Sequence, residues 1–246
     1  MASIETVLPG STVRTTLGSL GAAGVYLIRS GEDRILYDTG HPGRKKILFR
    51  EMEKHGLNFK NVDYVVISHL HWDHALNVSL FNSSKIIIDK KELEEDSEDD
   101  YPRVSVLSDY IRQLDVHYVS SGANIADENE VSVVSSPGHT AGHISLAVKS
   151  GKSVDVITGD SLPNARAMHR GEPDLIFFNR SAAVDSVKGI LSYKPRNIYP
   201  GHDSPFSLEP EFTYLSEIKF GVTYRTEGEE DYDVVFSREP SKKSYL

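Results

Sequence analysis

The chain has 246 residues, of which 39% are hydrophobic and 26% charged, the composition of a globular protein large enough to fold around its own core. It contains no cysteine, so disulfides, zinc fingers, iron–sulfur clusters and thiol nucleophiles are excluded, and any metal must be bound by imidazole and carboxylate groups. The formal net charge of −9 disfavours nucleic acid as a partner.

The first half of the chain alternates β-rich runs with a helical pattern. Strands are predicted at residues 12–16, 25–30, 35–38, 62–67 and 86–88, and the second and third of these form a hairpin. Apolar residues at helical spacing from Ile47 to His55 predict a helix that ends at Gly56. The acidic run 92–100 is interpreted as a solvated helix or loop, with a partner-binding loop as the alternative.

The second half continues the mixture of strands and helices. Strands are predicted at residues 131–135, 144–148, 154–158 and 197–199, and a helix at 182–191 with Ser181 as its N-cap. The polar extension 221–246 is expected to contain short strands at 222–224 and 234–236 and a mobile end. Because no repeat or linker interrupts the pattern, we expect one domain over residues 1–246, with its core at about 12–210.

The cellular localisation of the protein is predicted from two sequence patterns that the chain lacks. No stretch approaches the roughly 18 apolar residues of a membrane span. The first residues have neither the basic nor the apolar region of a signal peptide. We therefore expect a cytoplasmic protein with no membrane partner, and a homo-oligomer is left open.

The strongest chemical signal is the hexamer His69-Leu70-His71-Trp72-Asp73-His74. A strand that ends at Ser68 releases the chain into a loop, where residues two apart can project toward one point. Asp73 and His74 then begin the next helix and can reach a second point beside the first. Imidazole and carboxylate suit zinc, iron and manganese. The alternative, ordinary core or surface residues, requires four metal-ligand side chains to coincide within six positions.

The hexamer resembles the signature of the metallo-β-lactamase superfamily, and the chain carries the other motifs of that family in order. These motifs are Asp38-Thr39-Gly40, Pro137-Gly138-His139-Thr140-Ala141-Gly142-His143, Gly159-Asp160 and Pro200-Gly201-His202-Asp203. The resemblance implies an α/β fold, a four-layer αββα sandwich with the site at one edge between the two sheets.

The same resemblance implies a two-metal site made of five histidines and two aspartates. The first metal would be bound by His69, His71 and His139, the second by Asp73, His74 and His202, and Asp160 would bridge them. Two divalent ions are expected, Zn²⁺ first and Fe²⁺ or Mn²⁺ as alternatives. A hydroxide shared by two such ions attacks a carbonyl, phosphoryl or sulfuryl centre, and Asp73 and Asp160 are the expected catalytic carboxylates.

Other conspicuous residues receive weaker assignments. Asp38 is interpreted as a carboxylate that supports a ligand, and His143 as a hydrogen-bonding residue at the start of a strand. His41, His55 and His117 have no second ligand beside them in the sequence and are interpreted as structural or solvated. Substrate contacts are expected from Trp72 and from the loop after Asp160, through Asn164, Arg166, His169 and Arg170. The two arginines favour an anionic or ester-like small molecule, with ordinary surface charges as the alternative.

Several branches of the family are disfavoured by this sequence. The segment from His74 to His139 is too short for the extra domain of the RNA-processing enzymes, and the segment after His202 is too short for the helical domain of glyoxalase II. His71 stands where the flavodiiron branch has glutamate. Acyl-homoserine lactonases place a tyrosine just after the aspartate of Gly159-Asp160, whereas this chain continues Ser161-Leu162-Pro163.

Three hypotheses follow from the resemblance. The first is a two-zinc hydrolase of a small ester, thioester or lactone. The second is a mono-iron oxygenase of the persulfide dioxygenase type, and the third is a binding protein without catalysis. The segments 77–81 and 174–206 are also similar in layout to the small branch typified by metallo-β-lactamase domain-containing protein 1, which is linked to RNA cleavage, so a phosphodiesterase or ribonuclease is a further alternative.

Overall fold

Two six-stranded sheets form the centre of the computed structural model, which describes residues 1–15, 18–19, 21–94, 105–126, 130–216, 218–224 and 232–238. The acidic run from residue 95 onward lies outside these residues, and so do residues 239–246 of the mobile end expected at 238–246, whose first residue, Arg238, ends a strand. In the part of the chain that is described, no helix is both long enough and apolar enough to cross a bilayer.

The first sheet is antiparallel on one side and parallel on the other. Its strands, in spatial order, are Ser3–Leu8, Val25–Ser30, Asp33–Tyr37, Tyr64–Val66, Lys85–Ile88 and Val116–Tyr118. The second sheet pairs its two central strands in parallel and the outer ones antiparallel. Its strands, in spatial order, are Thr213–Tyr214, Phe206–Ser207, Asn197–Pro200, Ser153–Gly159, Ile144–Ser150 and Val131–Ser135.

Two smaller hairpins lie outside these sheets. Arg14–Thr15 pairs with Gly18–Ser19, so the strand predicted at residues 12–16 is shorter than expected. Ile218–Tyr224 pairs with Tyr232–Arg238, and this hairpin contains both strands that the sequence predicts in the C-terminal extension. The predicted hairpin at residues 25–38 is confirmed, with Gly31 at positive φ in its turn.

Alternation along the strands gives the protein three hydrophobic layers. Tyr26 and Ile28 face the second sheet, whereas Val25 and Leu27 face the helices that cover the first sheet. On the second sheet, Ile157 packs between the sheets and its neighbour Val156 packs against the outer helices. Because each sheet is buried on both faces, helices must cover the two outer faces. The predicted four-layer αββα sandwich is confirmed.

The helices divide between the two outer faces. The first sheet is covered by Lys45–Lys54, Trp72–Ala75, Lys90–Glu94 and Ser105–Ile111, together with 3₁₀ turns at Pro42–Arg44 and Leu76–Leu80. The second sheet is covered by Ala165–Arg170 and Arg180–Ser192. The prediction that Ser181 caps the last of these helices is wrong. The helix begins two residues earlier than expected, and the side chain of Asn179 accepts the hydrogen bond from the Ala182 amide.

The loop that ends at His139 rests directly on this last helix. Gly138 has φ +136, and a Cβ built on it would lie 2.2 Å from the Cα of Ala183. Its carbonyl accepts hydrogen bonds from the amides of Phe178 and Asn179, just before the helix begins. Only glycine allows both the backbone conformation and the close approach, so the position of His139 depends on this contact.

We predict that Gly138→Ala lowers the free energy of unfolding by more than about 2 kcal/mol, because the new methyl group meets backbone atoms and the φ angle is strained. Gly189→Ala is the matched control. Gly189 lies in the helix Arg180–Ser192, against which Gly138 packs, and nothing lies within 4 Å of a Cβ added to it. That change should raise the free energy of unfolding by about 0.4–1 kcal/mol. Urea unfolding followed by circular dichroism measures both. Equal effects of the two substitutions would contradict this account of the loop.

Candidate metal centre

Three strands with parallel partners deliver their carboxyl ends to one edge of the sandwich. Tyr64–Val66 leads through Ser68 to His69, and Ser153–Gly159 leads directly to Asp160. Asn197–Pro200 leads to His202, and the loop between two antiparallel strands of the second sheet carries His139. The seven residues that the resemblance assigns to metals meet here in two groups, each with ligand atoms within 4.8 Å of one another: His69, His71, His139 and Asp160 in one, Asp73, His74 and His202 in the other.

Three histidine nitrogens of the first group lie almost in contact. The Nδ1 of His71 is 2.9 Å from the Nε2 of His69 and 3.0 Å from the Nε2 of His139. Ligands of a tetrahedral zinc ion at about 2.0–2.1 Å lie about 3.3–3.4 Å apart, so the observed spacing is near the one that an ion imposes.

The second group is arranged in the same way around Asp73, His74 and His202. The Nε2 atoms of His74 and His202 are 3.4 Å apart, and the Oδ2 of Asp73 is 3.5 Å from the His202 nitrogen and 3.9 Å from the His74 nitrogen. Asp73 and His74 belong to the short helix Trp72–Ala75, as the sequence predicts.

Asp160 lies between the two groups and faces both. Its Oδ2 is 3.4 Å from the Nε2 of His139 and 3.3 Å from that of His202, and its Oδ1 is 3.3 Å from the Nε2 of His74. Oδ1 is buried and accepts no hydrogen bond of good geometry within the described residues. Gly201 makes room for it, since a Cβ on this glycine would lie 2.2 Å from Oδ1.

The partners of the ring nitrogens that point away from the two groups indicate which nitrogen of each ring carries the proton. The Nδ1 atoms of His139 and His202 face the carbonyl oxygens of Leu175 and Ser11, at 2.8 and 3.3 Å. A carbonyl only accepts, so these nitrogens donate, and in the neutral ring each Nε2 is then an unprotonated lone pair. His74 is held in the same form because its Nδ1 lies 2.7 Å from the carboxylate of Asp38. Lone pairs that converge on one another and on carboxylates fit a bound cation.

The pKa directions follow from the same crowding. Burial lowers the pKa of His69, His71 and His139, and the neutral ring that results is the form that binds metals.

At the second group, burial also lowers the histidine pKa, but the surrounding carboxylates outweigh it. The pKa of His74 is raised well above its usual value by Asp160, Asp73 and Asp38, and the pKa of His202 is raised by Asp160 and Asp73. Burial would raise the pKa of Asp160, yet His202 and His74 hold it well below its usual range. Positive charge is therefore favoured at this point of the structure.

Two further polar residues hold the ligands in place, as the sequence predicts. Asp38 accepts hydrogen bonds from the amide and hydroxyl of Ser68 as well as from His74. His143 has its pKa lowered by burial, and its Nε2 accepts a hydrogen bond from the Asp160 amide at 3.0 Å. Of the other histidines, His55 contacts Glu5 away from the site, and His41 accepts a hydrogen bond from the Gly43 amide and packs edge-to-face against the ring of Trp72.

A pocket opens above the two groups. One wall is apolar: Phe177 lies with its ring centre 5.1 Å from that of His71, and Leu175 and Trp72 extend the wall toward solvent. Thr12, Pro163 and Asn164 also line the pocket. Trp72 and Asn164 were expected to contact substrate, and the structure places both on the pocket. The side-chain oxygen of Asn164 also caps the helix Ala165–Arg170 by accepting a hydrogen bond from the Ala167 amide, and its side-chain nitrogen donates one to the carboxylate of Asp174.

The other three expected substrate residues are not among the described residues that line this pocket. Arg166, His169 and Arg170 lie on the exposed side of the helix Ala165–Arg170. Arg170 is 3.2 Å from the carboxylate of Asp174 and contacts Glu172. The described lining contains no lysine or arginine, so the alternative interpretation of the two arginines, ordinary surface charges, agrees better with the structure.

The sequence interpretation also missed one residue beneath the site. Glu92, assigned to a solvated acidic run, is buried with 1% of its surface exposed. It contacts both the hexamer and the loop of His139. Its position soon after the buried strand Lys85–Ile88 and beside the apolar Leu93 was the only signal that separated it from the acidic residues that follow.

Comparison with known proteins identifies relatives of the whole site region. The family model described as the Metallo-beta-lactamase superfamily matches residues 19–202. Beta-lactamase-like protein 2 homolog of Caenorhabditis elegans is 27% identical over 186 residues, which are 75% of this chain but only 57% of that protein. Metallo-beta-lactamase domain-containing protein 1 of Xenopus laevis is 26% identical over 84% of this chain and 82% of its own length. N-acyl homoserine lactonase of Bacillus cereus is 26% identical over 72% of this chain and 80% of its own length.

Solved structures show the same fold at lower identity. An AiiA variant from B. thuringiensis with N-decanoyl-L-homoserine at its active site has a TM-score of 0.63 at 21% identity, covering 82% of this chain and 92% of its own. AidC, described as a dizinc quorum-quenching lactonase, has a TM-score of 0.61 at 16% identity, covering 93% of this chain and 82% of its own.

We predict that Asp38→Asn weakens zinc binding at the second group by about 10–100-fold while the protein stays folded. Asparagine tolerates the backbone conformation of Asp38, which has φ +60. The side-chain NH₂ of asparagine cannot accept a hydrogen bond from His74 Nδ1, so the ring proton moves to Nε2 and the lone pair there is lost. Zinc per chain, measured after dialysis against buffered free zinc, tests this.

Asp63→Asn is the matched control, since Asp63 pairs with Arg34 far from the site. It should lower stability by about 1 kcal/mol or less and leave the zinc affinity unchanged. Wild-type zinc affinity in the Asp38 variant would contradict the role given to this carboxylate.

Proposed function

The chain belongs to the metallo-β-lactamase superfamily, and from this premise we propose that it is a two-metal hydrolase of a small, uncharged ester, thioester or lactone. The observation that carries the proposal is the position of Asp160, whose carboxylate faces three histidines from two complete ligand groups at the floor of one pocket.

The proposal assigns each ligand a site. His69, His71 and His139 would bind one cation and Asp73, His74 and His202 the other, with Asp160 shared. When bound, a pair of divalent cations supplies a hydroxide at neutral pH and stabilises negative charge that develops on the substrate. Zinc is favoured because the donors are imidazole and carboxylate and because the spacing of the nitrogens suits tetrahedral coordination.

Asp73 is the carboxylate best placed to act on the reacting water. Both carboxylates line the pocket, but Asp160 faces three histidines whereas Asp73 faces two. A carboxylate with an oxygen open to the pocket can orient the attacking water and hold the proton that leaves it. We therefore assign Asp73 a catalytic role besides binding, and Asp160 the role of fixing the distance between the two groups.

The pocket wall supports an uncharged substrate with an apolar part. Trp72, Leu175 and Phe177 provide apolar surface beside the metal groups, and the described lining has no lysine or arginine to bind a phosphate. The net charge of −9 further disfavours RNA and other polyanions. Ester, thioester and lactone carbonyls meet these conditions better than a phosphodiester does.

The relatives support the lactone among these substrates. Several are named N-acyl homoserine lactonases, and one solved structure holds N-decanoyl-L-homoserine at its active site. The residues after Asp160 remain different from the tyrosine expected of such enzymes: Ser161 is buried, and Leu162 and Pro163 follow it. A lactone would therefore have to be polarised by the cations without that tyrosine.

We predict about two zinc ions per chain in protein purified without added metal, and hydrolysis of at least one neutral lactone or thioester with kcat/KM well above that for a phosphodiester. His69→Ala and Asp160→Ala should abolish both zinc retention and turnover because each removes a buried ligand. Elemental analysis and a substrate panel measure these results.

His55→Ala is the control, since His55 contacts Glu5 at the surface rather than the site. It should change neither zinc content nor turnover. One iron per chain with thiol-dependent oxygen uptake would contradict the proposal in favour of the mono-iron oxygenase. Two zinc ions without turnover on any carbonyl ester would contradict the substrate class alone.

A further inference from the structure

One buried carboxylate connects the two segments that carry the first metal group. Glu92 lies in the short helix Lys90–Glu94, and its Oε2 accepts a hydrogen bond from the Leu70 amide at 3.2 Å. Its Oε1 accepts a hydrogen bond from the Gly142 amide at 2.9 Å and another from the hydroxyl of Thr140. Each of these donors is next to a residue of the site.

The connected residues belong to different sheets. Leu70 lies between His69 and His71, at the end of a strand of the first sheet, and Thr140 follows His139 in a loop of the second. The direct backbone link nearby is a hydrogen bond from the Ile144 amide to the Ser68 carbonyl at 3.1 Å. Glu92 therefore adds a side-chain link between the segments that carry His71 and His139, whose ring nitrogens are 3.0 Å apart.

The surroundings of Glu92 are built for this contact. A Cβ on Gly142 would lie 2.6 Å from the Glu92 amide nitrogen and 2.9 Å from its Cγ, so the loop approaches the glutamate as closely as glycine allows. Burying a carboxylate is costly unless several donors satisfy it. Three donors from the two site loops do so here, whereas an apolar residue would fill the same volume without holding either loop.

We propose that Glu92 is a positioning residue for the first metal group, holding the loop of His69 and His71 against the loop of His139 so that the three histidines can share one cation. This inference rests on the proposed function, because it assumes that these histidines bind a metal. It adds a residue that the family's metal motifs do not contain.

Glu92→Gln tests the proposal with a change of one atom. The amide retains one oxygen, which can still accept from Gly142 and Thr140, but its NH₂ then faces the Leu70 amide, and two donors repel each other. Zinc affinity of the first group should fall by about 10–100-fold. At a free zinc concentration where the wild type holds two ions, the variant should hold one.

Two readouts separate positioning from a merely structural role. Turnover of Glu92→Gln should recover as free zinc is raised, because the variant keeps all three histidines of the first group. The visible absorption of bound Co²⁺ should also change at the first group, whereas Asp38→Asn should change the second. Glu94→Gln, two residues along the same helix and exposed beside Lys90, is the matched control and should behave as wild type.

Unchanged zinc affinity and Co²⁺ absorption in Glu92→Gln would overturn the proposal, whatever the variant's stability. If that variant does not fold, Thr140→Val removes one donor at nearly constant volume and should lower the first affinity at least about threefold, and no change there overturns the proposal equally. A wild-type protein that binds no zinc would instead overturn the proposed function. If the wild type binds zinc but hydrolyses no substrate, the zinc affinities of the variants still decide the role of Glu92.

Discussion

Convergence of unprotonated imidazole nitrogens on a buried carboxylate is the constraint on which the rest of this structure depends. Carbonyl and carboxylate acceptors fix the protons of His74, His139 and His202 on Nδ1, which directs each Nε2 lone pair toward Asp160. Such an arrangement is electrostatically unfavourable unless positive charge occupies it. The neighbouring carboxylates raise the pKa of His74 and His202, so positive charge is favoured at this point, and a bound cation would supply it.

The fold supplies the convergence through the direction of its strands. In each sheet two neighbouring parallel strands end at the same edge, and stacking the sheets brings the four ends together. Hydrogen bonds between the sheets keep this edge closed: the hydroxyl of Tyr26 donates to the Pro200 carbonyl and that of Tyr37 to the Ile144 carbonyl. Asp38, His143 and Glu92 then hold individual ligand loops. The positions of the converging side chains are thus set in part by residues that belong to neither group.

The sequence predicted the parts of this account that short motifs encode. The hexamer His69–His74 contains four of the seven converging residues, and the remaining three stand in motifs with a glycine that tight packing requires. Short β-rich and apolar runs located most strands of both sheets, although the layer arrangement came from the family resemblance. The cap at Asn179 was missed because both Asn179 and Ser181 are good N-caps, and the choice depends on where the loop from Gly138 meets the helix. Glu92 was misjudged because the burial of a charged residue depends on neighbours distant in sequence, here Leu70 and Gly142.

Anomalous diffraction at the zinc edge from crystals of the zinc-loaded protein tests the central claim most directly. The account predicts two peaks about 3.5–4 Å apart on either side of Asp160. One should lie within about 2.2 Å of nitrogens of His69, His71 and His139, and the other within that distance of Asp73, His74 and His202. A single peak that omits one of these groups, or no peak between Asp160 and the histidines, would contradict it.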